Sequence, residues 1–529
     1  MNHTSSPAPP RAGRREWCAL GVLMLPVLLI AVDSTVLGFA VPMISSALRP
    51  TGTQLLWMVD IYMFVLAGLL VTMGTLGDRI GRRRLLLVGA AGFGAASVLA
   101  GYAPTAEVLI VARALLGVFG ATLMPSTLSL LRTIFLDRRQ RTLAIAIWAT
   151  MFSGGAALGP VVGGWLLEHF WWGSVFLINL PVMAALLVGG RLLLPEYRDP
   201  APGPFDLLSA GMSLATVLPV VYGIKLAASE GLGAAPVASV LLGLAVGALF
   251  VRRQLRARHP MLDLRLFADR EFSTALSANL MSVFALTGCM FFITQYLQLV
   301  LGVSPMRAGL WLLPGILASI AAGLLSVALV RRLPVRVLVP AGMFAATAGF
   351  LVMTQLPATG TPLLLVIAFA LVGAGVGLAE TLTNDVIMAS APPERAGAAS
   401  AISETAYELG GALGTAVLGS LVVGVYQSAL APAPGLPPAA LAEARETLGG
   451  AHAVADGLAP AAGEALRQAA GTAFTGAIHI TALVGAVVVG YAALQTLVLL
   501  RRAARAAEAR RAERPRAAGD AEPRAGAPL

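Results

Sequence analysis

Fourteen stretches of this chain are each long and apolar enough to cross a lipid bilayer, and its arginines crowd into alternate gaps between them. A helical span needs roughly 20 predominantly apolar residues. Candidates run over 17–41, 54–74, 84–103, 106–131, 141–166, 172–194, 207–228, 234–251, 273–300, 306–330, 336–356, 361–385, 398–425 and 474–500. The chain is therefore expected to be an all-α polytopic membrane protein. Orientation follows from the basic residues. With the N-terminus in the cytosol, segments 1–16, 75–84, 132–141, 191–206, 252–271, 331–336, 390–397 and 501–529 lie inside and hold 31 arginines. The outer loops hold only Arg49, Arg307, Arg445 and Arg467. Only an even number of spans preserves that bias, and the runs at 207–228 and 234–251 decide for fourteen over twelve. Both termini are then cytosolic.

Composition agrees. The 529 residues are 57% hydrophobic and 12% charged, against about 25% charged in a soluble domain. A net charge of +10 would suit nucleic acid if it formed one face, but here it marks topology, and no nucleic-acid partner is expected. The basic stretch Arg11–Arg15 precedes a run long enough to span, without a small-residue cleavage site, so it reads as an uncleaved first span. Cys18 and Cys289 are the only cysteines, which excludes a disulfide framework and CxxC chemistry. Two segments are not membrane. The outer loop 428–472 is rich in Ala, Pro and Gly, with PAALAEARETL able to form short amphipathic helices; a gate over the outer mouth and a tolerated insertion both remain open for it. The basic tail 501–529 is expected to be disordered and to touch anionic lipid.

Several ionisable residues lie inside the spans, where charge is costly and faces protein or water. Asp33, in LIAVDSTVLGFAVP, is the only formal charge between Glu16 and Arg49. At about 1.5 Å of rise per residue, Asp33, Asp60 and Arg113 sit at similar depth in spans 1, 2 and 4. Span 13 carries Glu404 and Glu408 in SAISETAYELGG, four apart and so on one helix face, with Tyr407 beside them. Their titrations should be coupled, and Tyr407 offers a ring for cation–π contact; the competing reading is a helix–helix hydrogen-bonding pair. Glu380 and Asp385 fall near the cytosolic end of span 12, where an acid simply meets water. Lys225 is expected to snorkel outward, and Met290–Gln298 to line lipid, core or a greasy pocket.

Local patterns add detail. GTLGDRIGRRR, Gly74 to Arg84, places glycines where two helices and a tight turn approach closely, with Asp78 poised for a neighbouring helix N-terminus. The matching loop of the second half, Val330–Leu338, lacks the aspartate. GAALGPVVGG brings Gly155, Gly159 and Gly163 onto one flat face, and Pro160 removes a helix hydrogen bond.

Together these segments resemble the major facilitator superfamily. The Gly74–Arg84 loop matches its signature between helices 2 and 3, span 4 its arginine-containing motif, and GAALGPVVGG the motif of its antiporters. AVDSTVLGFAVP is similar to the opening motif of the fourteen-helix drug–proton antiporter branch. WMVDIYMFVLAG, RALLGVFGATLMPSTLSLL and AGAASAISETAYELGGALG look closest to the QacA/SmvA/LfrA type of multidrug exporter. The resemblance implies the major facilitator fold: a six-helix bundle over 17–194, two additional helices over 207–251, and a second six-helix bundle over 273–500. It implies Gly74, Asp78, Arg79, Gly81 and Arg82 as a cytosolic gate motif, and Gly155, Gly159, Pro160 and Gly163 as the antiporter motif. It also implies Asp33 and Arg113 as the proton-coupling pair, against the bland alternative of a purely structural ion pair. Asp60, Glu404, Tyr407 and Glu408 are the candidates for substrate binding; an acid at the outer mouth is an equally open role for Asp60.

The expected function is proton-driven export of hydrophobic organic cations, such as quaternary ammonium compounds, dyes and antiseptics, from a monomer in the bacterial cytoplasmic membrane. Four buried acids against one buried arginine favour cationic cargo. A raised carboxyl pKa in a dry site, pulled down by a nearby arginine, lets proton and drug compete for one group. The alternative is an exporter of one endogenous natural product. An enzyme would need a catalytic set, and the histidines at 3, 169, 259, 452 and 479 are scattered. No Walker A sequence occurs, so the proton gradient is the expected energy source, with no cofactor and no metal.

Overall fold

A computed structural model describes residues 11–198, 206–231, 233–257, 260–391, 395–431 and 437–513. Among them there is no β-strand, and fourteen helices are long and apolar enough to cross a membrane. The helices are α1 (Arg14–Leu48), α2 (Gly52–Ile80), α3 (Arg82–Gly101), α4 (Ala106–Ile134), α5 (Arg138–His169), the short α6 (Ser174–Leu177) and α7 (Asn179–Leu193). There follow α8 (Leu207–Glu230), α9 (Ala234–Arg256), α10 (Arg270–Gln295), α11 (Pro305–Leu329), α12 (Val335–Met353), α13 (Leu363–Ser390) and α14 (Ala396–Ala429). The last three are α15 (Pro438–Glu446), α16 (Leu448–Asp456) and α17 (Pro460–Glu513). α6 and α7 together make the sixth span, and α10 runs on as one turn of π-helix, Tyr296–Val300.

In hydrocarbon each backbone polar group must be satisfied within its own segment, which only a helix or closed barrel achieves. Sequence sets where these helices begin. Thr51 and Gln54 form a reciprocal cap on α2, and the Asp137 carboxylate accepts from Gln140 N at the start of α5. Large apolar side chains on the periphery, such as Leu192, Leu207, Leu324 and Tyr491, stay exposed, as residues facing acyl chains do.

Packing sorts the helices into two bundles. α1 lies on α5 and α7, and α4 on α2 and α3; in the second bundle α10 lies on α14, and α13 on α11 and α12. α8 and α9 form a hairpin that touches α2 and α14. The bundles meet along α2–α14 and α5–α11. Both seams are tight in the half of the molecule next to α15 and α16, here termed the loop end. A Cβ on Gly52 would stand 2.6 Å from Val423, one on Gly419 2.6 Å from Leu56, and one on Gly164 2.7 Å from the Met306 backbone. Nothing bulkier than hydrogen fits at such crossings. At the opposite, arginine-rich end a chamber of about 470 Å³ separates the bundles.

Two expectations are refined. The segment 428–472 contains α15, α16 and the first turns of α17. It closes over the loop end: Ser45 Oγ and Thr447 Oγ1 share a hydrogen bond of 2.7 Å, Gly52 N donates to Glu446 Oε2 at 3.1 Å, and Arg49 pairs with Glu443 at 3.1 Å. The tail, expected to be unstructured from 501 on, instead continues α17 as far as Glu513, because its alanine-rich sequence extends an existing helix at little cost. Residues 514–529 of that expectation, like 1–10 of the N-terminal segment, lie outside the described residues.

Candidate functional site

The first expected pair is formed. Arg113 Nη1 on α4 donates to Asp33 Oδ2 on α1 at 3.1 Å, with side chains 1% and 3% exposed. The guanidinium also donates through Nε to Met58 O at 3.1 Å and through Nη2 to Val59 O at 3.3 Å, both on α2, and lies 4.7 Å above the Tyr62 ring. A fork of planar donors can satisfy several acceptors at once, which is what a dry site demands of an arginine. Close approach of α4 to α2 depends on Gly117, where a Cβ would stand 2.7 Å from Tyr62 O. The antiporter-motif glycines do the same for α5 on α1. A Cβ on Gly155 would meet Leu28 O at 2.7 Å, one on Gly159 would strike Thr35, and one on Gly163 would touch Val36 at 3.2 Å. On its other side the Pro160 carbonyl packs against Gly309 of α11. That proline–glycine run is thus both the bed of the Asp33 helix and a seam between the bundles.

A cavity of about 140 Å³ lies between the bundles beside this pair. Ser34 and Thr35 of α1, Tyr62 of α2, Arg113, Phe152 of α5, Met290 and Phe291 of α10, Phe369 of α13, and Tyr407 and Glu408 of α14 line it. The Met290–Gln298 stretch therefore does contribute to an apolar pocket. Glu404, one turn away on α14, lines the larger chamber instead, together with Trp148, Asp78, Arg82 and Arg132. Trp148 and Phe152 stack with centroids 6.5 Å apart, and Tyr407 meets Phe152 edge-on at 6.1 Å, so an aromatic partition stands between the two spaces. Among the described residues neither Glu404 nor Glu408 has an ion-pair partner. Glu380 stands within electrostatic reach of Glu404, while Asp385 is exposed.

The Gly74–Arg84 loop sits at the arginine-rich end. Asp78 pairs with Arg82, the first residue of α3, and both line the chamber. Gly81 has φ +108°, a backbone region that side chains rarely adopt, and a Cβ there would run into Glu196. Glu196 Oε1 accepts from Arg83 N at 3.1 Å, and Arg83 Nη1 donates to Leu194 O at 3.0 Å, tying the turn to the end of α7. Gly74 faces Pro125 of α4, and Arg79 lies in the last turn of α2.

Asp60 and Lys225 depart from expectation. Asp60, grouped from sequence with the substrate-contacting acids, lines neither cavity. Lys225 does not snorkel. Its Nζ donates to Asp60 Oδ1 at 2.8 Å, and both side chains are fully enclosed. The correction is physical: Asp60, three positions from Trp57 on α2, turns toward α8 while staying within electrostatic reach of Arg113, and a lysine facing another helix finds a carboxylate closer than water. Tyr62, Phe152 and Trp148 were not singled out from sequence. The available signal for Tyr62 was its place three residues, about one helical turn, from Val59, on the face of α2 that meets Arg113.

Comparison with known proteins follows the same lines. The family model of the Major Facilitator Superfamily matches residues 23–415. The multidrug efflux pump LfrA of Mycolicibacterium smegmatis is 50% identical over 497 residues, covering 94% of this chain and 99% of that protein. The methyl viologen resistance protein SmvA of Salmonella typhimurium is 38% identical over 87% of this chain and 93% of its own length. A tetracenomycin C resistance and export protein of Streptomyces glaucescens is 34% identical over 77% and 76%. Among solved structures, a bacterial homolog to human lysosomal transporter Spinster, in an inward-facing and unoccupied conformation, superposes with a TM-score of 0.66 at 17% identity, over 93% of this chain and 99% of that one. That last likeness is one of fold.

Proposed function

The chain belongs to the major facilitator superfamily and is a multi-pass efflux transporter of small molecules, and we propose that it exchanges protons for hydrophobic organic cations by alternating access. One observation carries this reading. Glu408 faces an aromatic-lined central cavity and has no ion-pair partner among the described residues, while across the same cavity Arg113 is already matched by Asp33, which does not itself line it. A carboxylate in such a place is neutralised either by a proton or by a positively charged guest, and the two exclude each other. Phe152, Tyr407, Phe291 and Phe369 supply apolar area and ring faces for a flat aromatic cation. Resistance to methyl viologen, named for the relative SmvA, supports cargo of that charge.

The direction of access follows from the seams. With the arginine-rich end cytosolic, the chamber of about 470 Å³ opens to the cytosol, and α15 and α16 cover the outer mouth. A drug entering there meets Glu404 first and Glu408 one helical turn further in. Such a volume suits a drug-sized ligand. The Asp33–Arg113 pair is the proton-coupling element: protonation of Asp33 would release Arg113 from α1 while its bonds to α2 remain.

Ethidium efflux from loaded vesicles tests the proposal. It should stop when a protonophore collapses the gradient and persist when ATP is removed while the gradient lasts; efflux that follows ATP instead overturns it. Adding drug to purified protein in detergent should release protons, and Glu408→Gln should abolish that release. A second reading, export of one natural product, has support in the tetracenomycin relative. A resistance panel separates the two, since protection against unrelated cations belongs to the first and protection against a single compound to the second.

A further inference from the structure

Asp60 is the membrane-embedded acid whose surroundings differ most from those of Glu408. Its Oδ1 accepts from Lys225 Nζ at 2.8 Å, and the ammonium lies 3.6 Å from the centre of the Trp57 ring, one helical turn back along α2. Both charged side chains are completely enclosed, and Asp60 Oδ2 has no hydrogen-bond partner among the described residues. Neither residue lines the chamber or the central cavity between the bundles. The pair therefore joins two helices, α2 of the first bundle and α8 of the additional hairpin.

α8 is also in contact with the second bundle, but by different means. The Ala228 carbonyl rests on Gly424 of α14, where a Cβ would stand at 2.6 Å. That is a backbone-to-backbone contact of van der Waals type, each atom pair contributing little. Meanwhile α2 and α14 press together from Gly52 against Val423 through Leu56 against Gly419 to Met63 against Gly411, and this seam shuts the loop end. Opening that end requires α2 and α14 to part, so α8 must abandon one of them. Separating a buried ammonium from its carboxylate leaves two uncompensated charges in a low dielectric; sliding off Gly424 leaves none.

We propose that Asp60 and Lys225 are an internal counter-ion pair that fastens α8, and α9 with it, to α2. The hairpin then travels with the first bundle, and Asp60 is a positioning residue that takes no part in drug or proton exchange. The proposal rests on the efflux reading for its transport measurements only, because carboxyl labelling needs no transport.

Dicyclohexylcarbodiimide, which modifies protonated carboxyls in apolar surroundings, distinguishes the acids by peptide mass spectrometry. In native protein Glu408 should be labelled, and protected by drug, while Asp60 is not labelled. In Lys225→Met Asp60 should become labelled, without drug protection. Drug-protected labelling of Asp60 in native protein overturns the proposal. In vesicles, Lys225→Met and Asp60→Asn should each lower efflux at least tenfold. The double variant Asp60→Asn/Lys225→Met, or the exchange Asp60→Lys/Lys225→Asp where the neutral pair fails to fold, should return to within about threefold of native. Its protons released per drug bound should be unchanged. If folded double variants are as inactive as the singles, or release fewer protons, Asp60 belongs to the exchange chemistry after all. Joint movement is read from Asp60→Cys/Lys225→Cys in a Cys18→Ala background, bridged by a short bis-methanethiosulfonate reagent. Efflux should be the same before and after reduction of the bridge; arrest relieved by reductant means that α2 and α8 separate during the cycle.

Discussion

The two sides of the central cavity handle charge in opposite ways. On the first bundle Asp33 carries its counter-ion within the fold: Arg113 reaches it from α4 and is itself anchored to two α2 carbonyls. On the second bundle Glu408 borders the cavity and Glu404 the larger chamber one turn away on α14, with aromatic neighbours and, among the described residues, no ion-pair partner. A carboxylate already paired is a poor place for a cationic guest, because the guest would have to displace an arginine that cannot leave. An unpaired one is an energetic debt that a guest or a proton removes. On this contrast we propose coupling for the first side and cargo for the second, a division that the following measurements would break or sharpen.

The largest effect is expected on the paired side. Asp33→Asn leaves Arg113 enclosed without its counter-charge, and breaking a buried pair from one side costs roughly 3–5 kcal/mol. Thermal unfolding in detergent should fall by several degrees and efflux should be lost. A variant of native stability and native efflux would remove Asp33 from the mechanism. Next comes Glu408→Gln, which relieves an uncompensated acid. Unfolding should be unchanged or slightly higher, while the Kd for ethidium by equilibrium binding should rise about tenfold, or about 1.4 kcal/mol. Equal loss of stability in both variants would erase the distinction between the sides. Glu404→Gln should act on entry, slowing uptake into the chamber about threefold with little change in the final Kd, as stopped-flow fluorescence would resolve.

The smallest effect concerns the cover over the loop end. His452 on α16, outside the spans, is held below the usual histidine range, by burial first and by the nearby Arg467 second. The fold thus favours the neutral ring. Its contribution to stability is complete above the ordinary histidine pKa and is lost as pH falls through the lowered value. Hydrogen exchange over 448–456 should accelerate modestly on acidification, and His452→Gln should flatten that response. Acceleration that persists in His452→Gln would place the sensitive group elsewhere.

Much of this was legible from residues alone. The spans, the Asp33–Arg113 depth match and the glycine face at 155, 159 and 163 are local patterns or small sums, and all reappear in the structure. Glu404 and Glu408 were correctly set on one face of α14, yet they open into different spaces, because an aromatic partition from α5 falls between them. Lys225 was misread, and its pairing with Asp60 was not legible, for one reason. Their depth along each helix can be counted, but the direction each side chain points depends on how α2 and α8 are rotated about their axes.

Hydropathy and arginine placement, read residue by residue, determined how many helices cross the bilayer, which loops share a side, and which few charges must be sheltered. Those are properties of short segments in a solvent of low polarity, and no distant contact is needed to set them. Tertiary structure alone decided who shelters whom: Asp33 with Arg113 80 residues away, Asp60 with Lys225 165 residues away, and Glu408 set on the wall of a cavity. Partner choice is a matter of a few ångströms between helix faces, and those distances exist only once all the helices have packed.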